Sequence, residues 1–456
     1  MTRTLDVDYL VVGAGATGIA FTDSLVDHSR ARVAVVDSRH AVGGHWLEAY
    51  PFVRLHQASP FYGVASEVLG GELQSTGPEA GLQARAAQPQ IVDYYQRARD
   101  RLVERADVEI LTSTRYLGGR SLVSLVSGET FEVPTGCRIV DAHYLAPRIP
   151  AEVPPPFEVA ADAAVVPVNA LARLDRAPRR FVVVGSGKTA TDACIWLLAR
   201  GVDPDAICWV RPRDPWMLDR AVMQPDAAVF TGMAADVMQA ASVADSLDDL
   251  FLRLEAAGVM LRIDPGVRPT MAKSPTLARW ELDELRSIQD VVRRGHLRRV
   301  ERGRLTFDDG AVEIGDDALV VHCAGDGLPN RPRVPIWRPD AVTLQPVRSG
   351  FPCFGAALVG YVEATRHDDD EKNRLCPPNS YGNTLADWAR MNLLGTRATQ
   401  TFSAQPDIRE WANGVALNPA RSGPPGESPA VDEARARLVE HTPSALARLA
   451  ELVGTA

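Results

Sequence analysis

Residues 9–37 read YLVVGAGATGIAFTDSLVDHSRARVAVVD, and this stretch decides the fold. The apolar run at 9–12 predicts a buried parallel strand. A complete G-x-G-x-x-G pattern follows it, then apolar residues at helical spacing, then a second apolar run at 33–36 that ends at Asp37. Strand, glycine turn, helix, strand and acid together predict a βαβ dinucleotide-binding unit.

Each part of this unit has a mechanical role at a bound dinucleotide. Gly13 allows the tight turn, Gly15 lets the backbone approach a pyrophosphate, and Gly18 allows helix and strand to pack closely. The helix N-terminus directs unpaired N–H groups and a positive dipole end at the phosphates. A carboxylate at Asp37 can accept a hydrogen bond from a ribose 2′-hydroxyl.

Composition limits the remaining possibilities. The 456 residues are 46% hydrophobic and 23% charged, which is typical of globular proteins of two or three domains, or of two interleaved domains. A net charge of −9 without a basic run argues against nucleic acid or an anionic membrane surface as a partner. We expect no signal peptide and no transmembrane helix, since no apolar run is long enough. The six cysteines form no C-x-x-C pair, which favours free thiols in a reducing cytoplasm and predicts no metal site.

Two further motifs follow the first unit. Gly43-Gly44-His45-Trp46 is a Gly-Gly-x-Trp sequence, and Tyr50-Pro51-Phe52-Val53-Arg54 is a Tyr-Pro-x-x-Arg sequence. With the glycine turn and its acid, they resemble the FAD-binding half of class B flavin monooxygenases, the group of flavin-containing, Baeyer–Villiger and N-hydroxylating monooxygenases. The resemblance implies FAD rather than NAD at the first site. The residues expected at this site are Gly13, Gly15, Ala16, Thr17, Gly18, Asp37, Ser38, Gly44, His45, Trp46, Arg54 and His56.

A second βαβ unit begins at 181–184. Gly185-Ser186-Gly187-Lys188-Thr189-Ala190 follows the strand, with alanine as an accepted third position. A P-loop would need glycine where Val182 stands. The next strand, 207–210, is followed by Arg211-Pro212-Arg213 instead of an acid. Guanidinium groups pair with a 2′-phosphate, so this site is expected to prefer NADPH, although these arginines are also compatible with solvated loop charges. The residues expected at this site are Gly185, Ser186, Gly187, Lys188, Thr189, Arg211 and Arg213.

The order of these motifs predicts an α/β fold with two Rossmann-like, doubly wound, three-layer dinucleotide-binding domains, one inserted in the other. Residues 1–150 are expected to begin the FAD domain and 331–417 to complete it. Residues 151–330 are expected to form the NADPH domain, with a helical insertion at about 216–292 that is either core or substrate-facing. A mobile linker and a C-terminal helix, interrupted at Pro443, are expected over 418–456.

Two positions depart from the family pattern. Ala142-His143-Tyr144 stands where the family has Ala-Thr-Gly, and residues 157–169 lack its Phe-x-Gly-x-x-x-His linker fingerprint. Two activities therefore stay open. One is an NADPH-dependent FAD monooxygenase that transfers oxygen from a flavin hydroperoxide to a small organic substrate. The other is an NADPH:FAD oxidoreductase without oxygen insertion.

A nucleotide sensor without enzymatic activity is a third, weaker interpretation. In the monooxygenase interpretation, molecular oxygen is the second substrate. Arg54 and His56 are then the candidate catalytic residues, which position substrate or donate a hydrogen bond. The competing interpretation is that both are structural loop residues. Gln345, Arg348 and residues 354–356 are further candidates for contact with the flavin.

Overall fold

The structure is a computed structural model that describes residues 2–325, 327–421, 426 and 428–454. The predicted mobile linker includes residues 422–425 and 427, which lie outside the described residues. The strands, in chain order, are β1 (Thr2–Thr4), β2 (Tyr9–Val12), β3 (Val33–Val36), β4 (Val108–Leu111), β5 (Thr114–Gly118), β6 (Ser121–Ser124), β7 (Thr130–Glu132), β8 (Arg138–Asp141), β9 (Glu158–Val159), β10 (Val165–Pro167), β11 (Arg180–Val184), β12 (Ile207–Val210), β13 (Pro215–Asp219), β14 (Met260–Arg262), β15 (Met271–Leu277), β16 (Val291–Val292), β17 (Leu297–Glu301), β18 (Gly303–Phe307), β19 (Gly310–Gly315), β20 (Ala318–His322), β21 (Trp337–Arg338) and β22 (Ala341–Thr343). The helices are α1 (Ala16–Asp27), α2 (Gln88–Arg105), α3 (Lys188–Ala199), α4 (Ala227–Ser242), α5 (Leu247–Ala256), α6 (Arg279–Arg286), α7 (Pro352–Thr365), α8 (Asp369–Leu375), α9 (Leu385–Ser403), α10 (Pro406–Gly414) and α11 (Pro429–Leu452).

The first parallel sheet has the strand order β21-β22-β8-β2-β3-β4, with only β21 antiparallel. The central strands β2 and β3 are buried on both faces, as expected for continuous apolar runs. Val33 and Val35 belong to the core cluster that includes residues of α1 and α7, whereas Ala34 and Val36 face a second cluster. That second cluster is completed by the β1-β7-β6-β5 sheet. Helices, parallel sheet and outer sheet make three layers.

The second parallel sheet, β10-β20-β11-β12-β16, repeats this plan. Val183 and Val321 pack with residues of α3, and Val182 and Val320 pack beneath the β19-β18-β17-β9 sheet. Strands β18 and β19 pair in antiparallel as a hairpin.

The chain leaves the first sheet after β8 and returns to it at β22, which pairs with β8 in parallel. The second sheet is formed between these two strands. The prediction of two Rossmann-like domains, one inserted in the other, is therefore confirmed. The four residue ranges assigned to the domains stay predictions.

The prediction of a helical segment at 216–292 was wrong in part. This region contains helices α4, α5 and α6, but also the three-stranded sheet β14-β13-β15. The last part of the region contains the end of β15, the short α6 and β16. Trp216 stacks on Phe251 with ring centroids 5.7 Å apart. Because both faces of β13 are buried, its sequence lacks the alternation of apolar and polar residues from which a strand is predicted.

The C-terminal helix is present as α11, but the interruption predicted at Pro443 was wrong, because α11 is continuous through that residue. Proline at this position removes the N–H that would bond the carbonyl of Val439. Val439 is 75% exposed, so its carbonyl lies on the solvent side of the helix. The opposite side of α11 packs along α4, where Arg437 pairs with Asp236. Among the described residues, no helix combines the length and apolar character needed to span a membrane.

Candidate functional site

The first glycine turn has the close packing that the sequence predicts. Gly13 has a φ of 116°, in the region that favours glycine. A Cβ on Gly18 would collide with the carbonyl oxygen of Gly13. Gly15 precedes α1 without a side-chain capping bond, so the first-turn N–H groups, including those at Thr17, are available to an anion.

The Gly-Gly-x-Trp segment lies directly on this turn. A Cβ on Gly44 would be 2.9 Å from the Cα of Gly15, so the two backbones approach as only glycine allows. Trp46 is buried, and its indole N–H donates to the Tyr62 hydroxyl at 2.6 Å. The segment therefore forms a glycine-lined cradle beside the helix N-terminus, which fits the predicted FAD group.

Asp37 has local partners that the sequence did not indicate. Its carboxylate is buried and accepts hydrogen bonds from the backbone N–H groups of Ala14, at 2.8 Å, and Arg39, at 2.9 Å. These bonds join the end of β3 to the glycine turn. Each oxygen keeps further acceptor capacity for a ribose hydroxyl. Ser38, the next residue, is exposed.

His143 is a residue that sequence reasoning did not assign to the turn. Its ring lies 2.9 Å from the position of a Cβ on Gly13. The backbone N–H of His143 donates to Asp141 at 2.9 Å. Its position after β8, which pairs with β2, could have indicated this contact, since histidine stands there in place of the family's threonine.

The second glycine turn repeats the geometry of the first. Gly185 has a φ of 138°, and Gly187 precedes α3 without a side-chain capping bond. The Trp209 indole N–H donates to the Gly185 carbonyl at 2.8 Å, and this hydrogen bond stabilises the turn. Ser186 is buried within this turn, and Thr189 follows in the first turn of α3. The turn fits a dinucleotide pyrophosphate.

The two turns are joined by one segment. The Tyr50 hydroxyl donates to Asp192 at 2.8 Å, and Asp192 also pairs with Lys188 at the start of α3. Phe52 stacks on Trp196 of the same helix, with ring centroids 4.7 Å apart. Residues 44–52 therefore contact the first turn at one end and the second nucleotide helix at the other.

Arg211 and Arg213 have different surroundings. Arg211 is 2% exposed, its guanidinium lies 4.6 Å from the Trp209 ring centroid, and it pairs with Asp214 at 3.3 Å. Arg213 is half-buried and donates to Asn383 at 3.2 Å. Of the two, Arg213 is the cation better placed to meet a 2′-phosphate.

Arg54 and His56 have different surroundings within the described residues. Arg54 is exposed and donates to the backbone carbonyl of Arg85 at 3.1 Å. The His56 side chain is half-buried, and its Nδ1 atom has no hydrogen-bond partner within the described residues. Their catalytic roles stay predictions, and the geometry favours His56.

A buried network of charged side chains contacts the backbone carbonyl of His56. Arg220 is fully buried and pairs with Glu79 and with Glu281, the latter at 2.7 Å. Arg220 Nε also donates to the His56 carbonyl at 3.2 Å. Burial raises the pKa of Glu79, but Arg220 and Arg85 outweigh it and hold that pKa at about 2. The network was not predictable from sequence, since its members come from distant segments.

The remaining flavin-contact candidates have partners of their own. The Gln345 amide bonds both backbone groups of Val334, at 2.7 and 3.1 Å. Phe354 is buried against Trp411 with ring centroids 5.9 Å apart. Arg348 lies 5.8 Å from the Phe230 ring centroid. His45 is half-buried, and burial lowers its pKa to about 4.

We expect the stability to depend on pH through His56. Burial, followed by the charges of Lys188 and Arg220, lowers its pKa from the ordinary 6.5 to about 3. As the pH falls, His56 is therefore protonated in the unfolded chain before it is protonated in the folded protein. The stabilisation that is present above pH ~6.5 is lost as the pH falls towards ~3. In chemical denaturation across this range, His56→Gln should flatten the profile, whereas His296→Gln, at an exposed position, should not. If the free energy of unfolding depended on pH equally in the unaltered protein and in both variants, His56 would not be the group responsible.

Residues 11–51 match the family model of an NAD(P)-binding Rossmann-like domain. Among solved structures, the closed form of cyclohexanone monooxygenase superposes with a TM-score of 0.49 at 16% identity, over 96% of this chain and 97% of that one. A steroid monooxygenase bound to NADP gives a TM-score of 0.48 at 14% identity, over 97% and 98%.

Two mycobacterial proteins are much closer in sequence. "Uncharacterized protein Rv2000" of Mycobacterium tuberculosis is 40% identical over 421 residues, which are 91% of this chain and 78% of that protein. "Uncharacterized protein Mb2023" of Mycobacterium bovis matches with the same identity and coverage. The chain therefore belongs to the protein family of Rv2000 and Mb2023.

Proposed function

We propose that this protein is an NADPH-dependent, FAD-containing monooxygenase that acts on a small organic molecule. The observation that carries the proposal is the joining of two dinucleotide turns by residues 44–52, through Tyr50 and Asp192 at 2.8 Å. The overall reaction consumes NADPH, a proton, oxygen and substrate, and yields NADP⁺, water and the oxygenated product.

The residues of this chain bind and orient the two nucleotides. Bound FAD supplies hydride acceptance and oxygen activation, chemistry that no side chain provides. The first-turn N–H groups after Gly15 and after Gly187 stabilise the two pyrophosphates. The Asp37 carboxylate accepts a hydrogen bond from a ribose hydroxyl. Trp46 and Tyr62 form an aromatic wall beside Gly44.

His56 is the proposed polar group between the sites. Its low pKa keeps the imidazole neutral at physiological pH, so it offers one N–H donor and one acceptor. Arg220 and Thr276 hold its backbone carbonyl, which orients the residue without using its ring. We assign it a role in orienting substrate or nicotinamide.

Purification and transient kinetics test the proposal. We expect a yellow protein that NADPH bleaches and that oxygen restores through a transient absorbance distinct from oxidised and reduced flavin. With amines, sulfides, ketones and aromatic acids as test substrates, NADPH use should exceed peroxide release. A colourless protein that takes up no FAD would refute the proposal.

An oxidoreductase without oxygen insertion is the second candidate, and one observation favours it. Where the family has its linker fingerprint, Phe157 packs on His322 with ring centroids 5.7 Å apart, and Asn169 donates to the Glu48 carbonyl at 2.8 Å. This candidate predicts direct flavin reoxidation with one peroxide per NADPH, whichever substrate is present.

The preference for NADPH should depend on Arg213. Arg213→Ala removes the charge-assisted bond to the 2′-phosphate, so the KM for NADPH should rise roughly tenfold while the KM for NADH stays unchanged. Flavin reduction by each nucleotide measures both values. Arg179→Ala, at a side chain that is 88% exposed in the same domain, is the matched control. Equal changes for both nucleotides would contradict a role in 2′-phosphate recognition.

A further inference from the structure

Arg348 is a half-buried cation to which the described residues offer no anion. Within them its guanidinium forms neither an ion pair nor a hydrogen bond, and it lies over the Phe230 ring, whose centroid is 5.8 Å away. Its nitrogen atoms are not fully enclosed by the protein, so a ligand can reach them. The guanidinium is therefore available to an anion that the chain itself does not supply.

Other arginines of the interior have acidic partners. Arg220 pairs with two glutamates, and Arg138 pairs with Glu363 at 3.0 Å. Burial lowers the pKa of Arg348 to about 10, and no carboxylate offsets this effect. The group still carries its charge at neutral pH. A charge that is removed from water without a partner is costly, so binding of an anion at Arg348 is favoured.

The backbone on both sides of Arg348 is held in place. Val347 is fully buried, and the Ser349 hydroxyl donates to the Met391 carbonyl at 2.6 Å. Ser349 also packs so closely against Gly395 of α9 that a Cβ on this glycine would collide with its hydroxyl. The position from which the guanidinium extends is therefore fixed before a ligand binds, which lowers the entropic cost of binding.

The ring beneath the guanidinium belongs to a buried aromatic cluster. Phe230 of α4 packs edge to face with Phe61 and with Phe351, at centroid distances of 6.2 and 5.9 Å. Phe61 precedes β8 and Phe351 follows β22, whereas Phe230 belongs to the chain between these strands. Arg348 therefore lies where the inserted part of the chain meets the first domain, and small-molecule sites are frequent at such boundaries.

Arg348 also lies at the edge of the first sheet that carries the first glycine turn. Strands β2 and β22 both run parallel to β8, so their C-terminal ends share one edge. Residues 344–351 leave this edge and lead into α7, which packs along α1. Phe61 is followed by Tyr62, the hydrogen-bond partner of Trp46 in the proposed FAD cradle. An anion at Arg348 is therefore on the same side of the sheet as the proposed flavin.

We propose that Arg348 binds the carboxylate of a small organic substrate. This inference rests on the proposed function and adds the substrate class. A planar guanidinium donates two parallel hydrogen bonds to the two oxygens of a carboxylate, whereas a carboxamide offers one acceptor oxygen. The pyrophosphates of FAD and NADPH are the other anions of the reaction, and the N-termini of α1 and α3 are assigned to them.

Matched acids and amides test the proposal on the purified FAD-containing protein. NADPH oxidation and product formation are measured with benzoate and benzamide, phenylacetate and phenylacetamide, and octanoate and octanamide. In at least one pair, kcat/KM for the acid should exceed that for the amide at least tenfold. Arg348→Gln should lower kcat/KM for that acid at least tenfold, mainly through KM, and leave the amide unaffected. Arg348→Lys should retain part of the preference, because the ammonium group keeps the charge.

Two further measurements identify the anion that Arg348 binds. In Arg348→Gln the FAD content and the KM for NADPH should be unchanged. Loss of FAD would show that the flavin nucleotide is the bound anion, and a higher KM for NADPH would show that the nicotinamide nucleotide is; either result would overturn the proposal. Arg397→Gln, at an exposed arginine of α9, is the matched control and should behave as the unaltered protein does.

The outcome for this proposal is separate from the outcome for the proposed function. Oxygenation of uncharged compounds with no preference for the acid in any pair would overturn the role of Arg348 and leave the monooxygenase assignment standing. An equal preference for the acid in Arg348→Gln would also overturn it. A protein that oxidises no NADPH with any compound would refute the proposed function itself.

Discussion

Gly18→Ala is expected to yield a protein that retains no FAD. The added Cβ would collide with the Gly13 carbonyl oxygen, and backbone atoms cannot rotate away as a side chain can. Gly13 cannot shift easily, since its N–H donates to Val36 at 2.8 Å in the centre of the first sheet. We expect a loss of about 3 kcal/mol in the free energy of unfolding, the upper end for overpacked cores. Flavin absorbance of the purified protein and chemical denaturation measure the two effects.

Gly232→Ala is the matched control. Gly232 also lies inside a helix, α4, but a Cβ there would meet no atom within 4 Å. Alanine should leave the FAD content unchanged and add about 0.5–1 kcal/mol of stability. Full FAD retention by Gly18→Ala would show that this turn is not the flavin site.

Arg220→Ala is expected to have the largest effect on stability. The substitution removes one of the two cations that pair with Glu79 and Glu281 and leaves them only Arg85, and removal of one partner from a buried network costs about 3–5 kcal/mol. It also removes one of the two hydrogen bonds to the His56 carbonyl and leaves the one from Thr276. Chemical denaturation should show the loss, and Arg220→Lys should not restore it, because an ammonium cannot reproduce the forked geometry.

The control for this prediction is an exposed ion pair. Arg298 pairs with Asp308 at 2.8 Å, and both side chains are more than half exposed. Arg298→Ala should therefore change the free energy of unfolding by no more than about 1 kcal/mol. If Arg220→Ala cost no more than this control, the network would be dispensable for stability.

Features set by adjacent residues could be predicted from the sequence. The glycine turns, their strands and the helices after them depend on a spacing of a few residues. The return of the chain to the first domain was predictable from the order of the motifs and the family resemblance. The parallel sheets follow from two repeated units.

Features set by distant residues could not be predicted. Arg211 follows a strand, which is where an arginine that binds a 2′-phosphate is expected. Its guanidinium instead contacts Trp209 and Asp214. The Arg220 network joins segments far apart in sequence, and no local pattern identifies them as neighbours. His143 was seen as a departure from the family, but its contact with Gly13 depends on the pairing of β8 with β2.

The pairing of β22 with β8 has a consequence for synthesis of the chain. Val140 is the register partner of Val342, so a ribosome must translate the entire second sheet before this edge of the first can form. Until then β8 exposes an unpaired strand edge, which is prone to aggregation. We expect nascent chains arrested before residue 341 to require chaperones.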